Sequence, residues 1–291
     1  MAGDGISLKC KLPDDGFAQA WDAIAIDKAV KERLLAQALL TLQVRQKLPF
    51  EQAPLHGLIL LVGPPGTGKT TLARGLADQV AQRLPRNKAN FIQVDPHALT
   101  SAALGSSQKA VAKLFEQTLP EVALGGVAIV LLDELETLAA DRQRLSLEAN
   151  PVDVHRATDA VLSGMDALTR AHKNVLLIGT SNFPKALDKA VTSRADLIED
   201  IGLPNEEARR TIITDTLKSL ASVWARVGSL QDDAAHLAKM ADGLDGRALR
   251  KAILAAGASD LATAQDLNHL SRSHIEFALK KAVQTAKGLG Q

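Results

Sequence analysis

A chain of 291 residues with 46% hydrophobic side chains is long enough to bury a full core, either as one large domain or as a large and a small one. Its 34 basic and 33 acidic residues leave a formal net charge of +1, so the chain as a whole exerts no electrostatic pull on nucleic acid or an anionic membrane. Cys10 is the only cysteine, which excludes an internal disulfide and a cysteine-built metal site and suits a reducing compartment.

At the N-terminus, Met1-Ala2-Gly3-Asp4-Gly5 carries neither a basic region nor a long apolar one. No later segment approaches the ~18 uncharged apolar residues of a membrane span. A soluble, cytoplasmic protein is expected, with residues 1–11 as a tail. The apolar run Leu58-Ile59-Leu60-Leu61-Val62 then reads as a buried strand, and Gly63-Pro64-Pro65-Gly66-Thr67-Gly68-Lys69-Thr70 follows it directly. This octapeptide is a phosphate-binding loop. Its glycines let successive backbone N–H groups turn inward around phosphates, Lys69 reaches the β- and γ-phosphates, and the Thr70 hydroxyl can ligate Mg2+. Thr71 joins the loop as a candidate nucleotide contact, and Thr70 to Gln82 reads as the helix that should follow.

Further strands are expected at Phe91 to Val94, Val127 to Leu132, Val175 to Gly179 and Leu197 to Ile201, with helical patterns between them. This alternation predicts an α/β domain over residues 12–204, a five-stranded parallel sheet between helices with ligands at the carboxyl ends of the strands. After Pro204 only helical periodicity remains, in Ala208 to Leu220, Ala234 to Ala241, Gly246 to Leu261 and Ser273 to Ala286. Residues 205–291 are therefore read as an all-helical lid, with Asn205 as the N-cap of its first helix.

The strand Ile129 to Leu132 ends in Asp133-Glu134, where a phosphate-loop enzyme places its acids. Asp133 can hold the Mg2+ shell and Glu134 can polarise the attacking water. A second strand ends in Thr180-Ser181-Asn182, so Asn182 can hydrogen-bond both the γ-phosphate and that water. Arg194 precedes the last strand, and Arg247 opens a lid helix in Gly243-Leu244-Asp245-Gly246-Arg247. The seven histidines show no metal-ligand spacing, and Trp21 and Trp224 read as packing residues.

Together these residues resemble the AAA+ ATPases from about Leu12 to about Ala256. The resemblance implies that Asn182 is sensor 1, that Arg194 is an arginine finger entering the neighbouring subunit's site, with Arg156 as the next candidate, and that Arg247 is sensor 2. It also implies a ring, usually a hexamer, in which an arginine supplied in trans is worth ~10³ to 10⁵ in rate. Pro151-Val152-Asp153-Val154-His155-Arg156, Arg194-Ala195-Asp196, Ile201-Gly202-Leu203-Pro204 and Gly246-Arg247-Ala248-Leu249-Arg250-Lys251 are closer still to the pachytene-checkpoint type, ATPases that remodel HORMA-domain proteins, and to its bacterial relatives.

Two departures from that branch stand out. Its N-terminal adaptor domain has no counterpart before the core-like Phe17-Ala18-Gln19-Ala20-Trp21, so the substrate is expected to be engaged without it or delivered by a separate protein. Where ring translocases present a pore aromatic, this chain has Ala102-Ala103-Leu104-Gly105. Ala103 and Leu104 predict a weak grip suited to a short pull on one tail, because leucine buries less surface than an aromatic and cannot stack. Asp141 to Asn150 would be the second pore loop.

The expected function is a Mg2+-dependent ATPase that opens or disassembles HORMA complexes, including one with a nucleotidyltransferase, in a bacterial anti-phage signalling (CBASS) system. The rival readings are a generic remodeller or activase, a nucleic-acid motor or loader, and a nucleotide-gated scaffold. Near-neutral charge and the lack of a DNA-reading module weigh against the motor.

Overall fold

Uninterrupted runs of Leu, Ile, Val and Ala suit strands covered on both faces, and three such runs sit side by side at the centre of the sheet. The computed structural model describes residues 5–85, 88–100, 106–140 and 151–289. By their contacts these divide into two units, the first holding Lys28–Gly63 and Lys69–Ile201 with the N-terminal residues through Ile24, the second Ala25–Asp27, Pro64–Gly68 and the chain from Gly202.

In the first unit the order is β1 (Ile6–Leu12), α1 (Asp15–Ala23), α2 (Lys28–Lys47), β2 (Leu58–Val62), α3 (Lys69–Arg83), β3 (Ala89–Val94), α4 (Pro96–Thr100), α5 (Ser106–Lys113), α6 (Leu119–Leu124), β4 (Ala128–Leu132), α7 (Pro151–Ala171), β5 (Val175–Ser181), α8 (Lys189–Thr192) and β6 (Leu197–Asp200). The sheet has six strands in the order β1-β3-β4-β5-β2-β6. Five pair in parallel, at the positions the sequence predicts. Every residue of β2, β4 and β5 is buried.

The sixth strand corrects the five-stranded expectation. Ile6, Leu8, Cys10 and Leu12 alternate with exposed Ser7, Lys9 and Lys11, a period of two that gives a strand one covered face. β1 pairs antiparallel with β3, Cys10 opposite Phe91, and so closes that sheet edge with its lysines outward. Beneath it Phe17 of α1 meets Phe91 edge-on, centroids 4.9 Å apart. The Trp21 backbone and side chain approach Gly75 of α3 so closely that a Cβ there would stand 2.7 Å from the Trp21 Cβ.

The second unit contains α9 (Glu206–Ala221), α10 (Ala234–Met240), α11 (Gly246–Ala256), α12 (Leu261–Gln265) and α13 (Arg272–Leu289). Ile213, Leu217, Leu237, Leu249, Ile253, Ile275 and Leu279 form its core, with Trp224 packed against them. Asn205 caps α9 by accepting from the Ala208 N–H at 2.8 Å. The helix read as Gly246 to Leu261 stops at Ala256 instead, because Asp260 accepts the Thr263 N–H at 2.9 Å and starts a new helix. The apex of the phosphate loop also groups here: at Gly66, with φ +81°, a Cβ would lie 2.2 Å from Asp245 Oδ1. Among the described residues no helix is long and apolar enough to cross a membrane.

Candidate active site

β2 delivers the chain into the phosphate loop, and backbone geometry dictates its glycines. Gly63 has φ +144°, and a Cβ there would lie 2.3 Å from the Ile201 carbonyl oxygen. Gly66 and Gly68 also lie at positive φ, where a side chain costs energy. Pro64 and Pro65 are exposed, Thr67 donates to the Pro64 carbonyl at 3.0 Å, and Thr71 is exposed in the first turn of α3. Lys69 opens α3 and is only 5% exposed. Its Nζ donates to the Gly63 carbonyl at 2.8 Å, so the ammonium lies back across the loop it would share with a phosphate. A buried cation over a glycine loop at a helix N-terminus fits a polyphosphate anion.

At the end of β4 a single hydroxyl organises both acids. Thr180 Oγ1 donates to Asp133 Oδ1 at 2.5 Å and accepts from the Glu134 backbone N–H at 3.0 Å. Thr70 Oγ1 donates to the same Asp133 oxygen at 2.9 Å. The other oxygen accepts from Gln93 Nε2 at 3.3 Å, and Arg74 donates twice to Gln93 Oε1, at 2.9 and 2.6 Å. Asp133 is thus fixed between the loop's threonine and β5, and the Thr70 hydroxyl with this carboxylate forms a donor set suited to Mg2+, an ion that typically takes one or two protein ligands and keeps several waters.

Glu134 is the only non-glycine residue with positive φ among those described, at φ 50° and ψ 52°. Holding a glutamate in this left-handed conformation costs roughly 1–2 kcal/mol. The strain turns the side chain out of the strand direction toward Asn182, whose Nδ2 donates to Glu134 Oε1 at 3.3 Å. His97 of α4 places Nε2 3.0 Å from the other carboxylate oxygen. Asn182 is itself set by its backbone N–H, which donates to Glu136 Oε1 at 2.9 Å.

The structure therefore brings Lys69, Thr70, Asp133, Glu134 and Asn182 into one region. Thr180 and Gln93 in strands and Arg74 and His97 in helices are its additional members, missed in the sequence because spacing along an element does not reveal which polar side chain of another element it meets. The signal was there for Gln93, a lone polar residue inside Phe91–Val94 that is 8% exposed. Arg194 makes none of these bonds and pairs with Asp166 instead. Arg156 is exposed on α7, and Arg247 is exposed in the first turn of α11, its backbone N–H donating to Asp245. The two expected pore segments, residues 102–105 with Ala103 and Leu104 and residues 141–150, lie outside the described residues.

Residues 59–203 match the family model described as "ATPase family associated with various cellular activities (AAA)". CD-NTase-associated protein 6 of Pseudomonas aeruginosa is 49% identical over 284 residues, 96% of this chain and 93% of that protein. A putative pachytene checkpoint protein 2 of Caenorhabditis elegans is 32% identical over 231 residues, 78% of this chain and 53% of that protein. The chain belongs to the pachytene-checkpoint-type AAA+ ATPases. A chain in the structure of the E. coli MS115-1 HORMA:CdnC:Trip13 complex has the same fold, with a TM-score of 0.72 and 19% identity over 97% of this chain and 96% of that one. In this AAA+ ATPase, Asp133 and Glu134 directly follow β4, the position at which the sequence places the acid pair.

Proposed function

We propose that this AAA+ ATPase hydrolyses ATP with Mg2+ in a cytoplasmic homo-hexameric ring and uses the energy to open HORMA-domain proteins. In this reading it disassembles an active HORMA complex with a nucleotidyltransferase and so keeps a bacterial anti-phage (CBASS) response off. The substrate reading draws on the CD-NTase-associated relative and on the complex in which a chain of the same fold is found with a HORMA protein and CdnC. The observation that carries the chemistry is the Thr180 hydroxyl holding Asp133 and Glu134 together beside Thr70.

The loop N–H groups of residues 63–70 and Lys69 would bind the β- and γ-phosphates, Lys69 exchanging the Gly63 carbonyl for a phosphate oxygen. Thr70 and Asp133 would hold Mg2+, largely through water, and that ion supplies neutralisation of the phosphate charge. Glu134 and Asn182, already within hydrogen-bond reach of each other, would orient the attacking water between them. Arg194 would come from the neighbouring subunit to stabilise charge on the transferring phosphoryl group, and Arg247 would report nucleotide to the helical unit.

The test is release. A bacterial HORMA-domain protein bound to its nucleotidyltransferase should be freed by this protein with ATP. Glu134→Gln with ATP should instead remain bound to the HORMA protein. HORMA binding with no ATP-dependent release would overturn the proposal.

A further inference from the structure

Arg194 lies in the turn between α8 and β6, and its guanidinium is gripped from the side by one carboxylate of α7. Nε donates to Asp166 Oδ1 and Nη2 to Asp166 Oδ2, each at 2.7 Å, while Nη1 donates to the Ala190 carbonyl at 2.7 Å. A guanidinium has five N–H donors. Three are taken, which leaves one on each terminal nitrogen among the described residues. The side chain is 22% exposed. The fork is thus locked along one edge and still carries two donors for a planar, bidentate contact with an oxyanion.

The grip has its own support. His56 Nε2 lies 3.8 Å from Asp166 Oδ1. The backbone N–H groups of His56 and Gly57 donate to Asp196 at 2.9 and 2.8 Å, and the Asp196 N–H donates to the Leu58 carbonyl at 2.8 Å. The turn bearing Arg194 is therefore tied to the start of β2. The hydrogen bond from Arg194 holds the Asp166 carboxyl below its usual range, so the pair is fully ionised near neutrality.

We propose that Asp166 is the positioning residue of Arg194, fixing its guanidinium in advance so that its two remaining donors face a phosphate on the neighbouring subunit. The inference rests on the trans role proposed above for Arg194. An arginine held in one rotamer loses less freedom on meeting a phosphate than a solvated one, and a misplacement of ~1 Å costs on the order of 100-fold in rate.

Steady-state ATP turnover of the full chain tests this. Asp166→Asn should lower kcat about 100-fold with the KM for ATP unchanged. Asp166→Glu, which keeps the charge one methylene further out, should show an intermediate loss. In rings mixed with Glu134→Gln, whose own site is dead but whose Arg194 is intact, Asp166→Asn subunits should regain turnover above the sum of the two variants alone. A parallel mixture of Arg194→Ala with Glu134→Gln should recover in the same way. Recovery in the Arg194→Ala mixture alone would overturn the role of Asp166, as would unchanged turnover in Asp166→Asn. Recovery in neither would overturn the trans role of Arg194 and the inference with it. Should Asp166→Asn not fold, the Asp166→Glu mixture is read by the same criteria.

Discussion

The sheet-bearing unit and the helical unit use polar side chains in opposite ways. In the first, the bonds that matter join residues far apart in the chain: Thr70 to Asp133 spans 63 positions and Thr180 to Asp133 spans 47. In the second, many are local, with Asn205, Asp245 and Asp260 capping the helices that follow them and Thr211, Thr216 and Ser219 bonding back to the carbonyl four residues earlier. Longer reaches occur there too: Arg209, buried, donates to the Ala238 carbonyl at 2.8 Å, and Arg272, half exposed, donates to Asp233 Oδ1 at 2.9 Å. Long-range polar bonds at the end of a buried sheet fix atoms for chemistry. Local caps over an apolar core fix a helix. Substitutions in the first unit should therefore change rate more than stability, and those in the second the reverse.

The sharpest test of that contrast is Glu134→Gln, which should lower turnover by roughly 10² to 10⁴-fold, the worth of a positioned base, without lowering the unfolding midpoint. Glu134→Gly should be equally inactive yet at least as stable as the parent, because relief of roughly 1–2 kcal/mol of left-handed strain offsets the ~0.5–1 kcal/mol of extra backbone entropy that glycine loses on folding. A loss of stability in both would show that Glu134 holds the fold as well as the chemistry. In the helical unit Leu237→Ala should cost about 2–5 kcal/mol by opening a cavity in a core where Leu237 is wholly buried, measured by denaturant unfolding.

Thr180→Val sits between these extremes, since it keeps the shape and removes the hydroxyl. It leaves the Glu134 N–H and one bond to Asp133 unmet, a cost of roughly 1–3 kcal/mol, and should lower turnover as well. Retained activity in Thr180→Val would show that the acids do not need this bridge. The smallest effect concerns pH. Burial, opposed by the carboxylates of Asp166 and Asp196, holds the His56 imidazole below its ordinary 6.5. A group depressed on folding contributes its stability above the unfolded value and loses it as pH falls through the folded one. His56→Gln should therefore flatten the decline of the unfolding midpoint just below pH 6.5, and an unchanged slope would remove His56 from the account.

The strands were legible where burial is two-sided: Leu58–Val62 and Ala128–Leu132 contain no polar residue to confuse their reading. β1 was not, because Ile6–Leu12 buries one face only and its lysines look like a tail. The placement of residues 63–70, Asp133, Glu134 and Asn182 at or beside strand ends was legible from motif and spacing. The contacts of Thr180, Gln93, His97 and Asp166 were not, because they depend on which strands and helices become neighbours. Sequence distance conceals that: β3 and β4 pair, and so do β4 and β5, although long helical segments separate them in the chain.

The most direct measurement is steady-state ATP turnover of the purified protein titrated with a bacterial HORMA-domain protein, with Glu134→Gln as the blank. A HORMA remodeller gives a saturable rise in rate that the blank lacks. A flat response over intact basal turnover would contradict the HORMA assignment and leave an AAA+ ATPase with a different substrate.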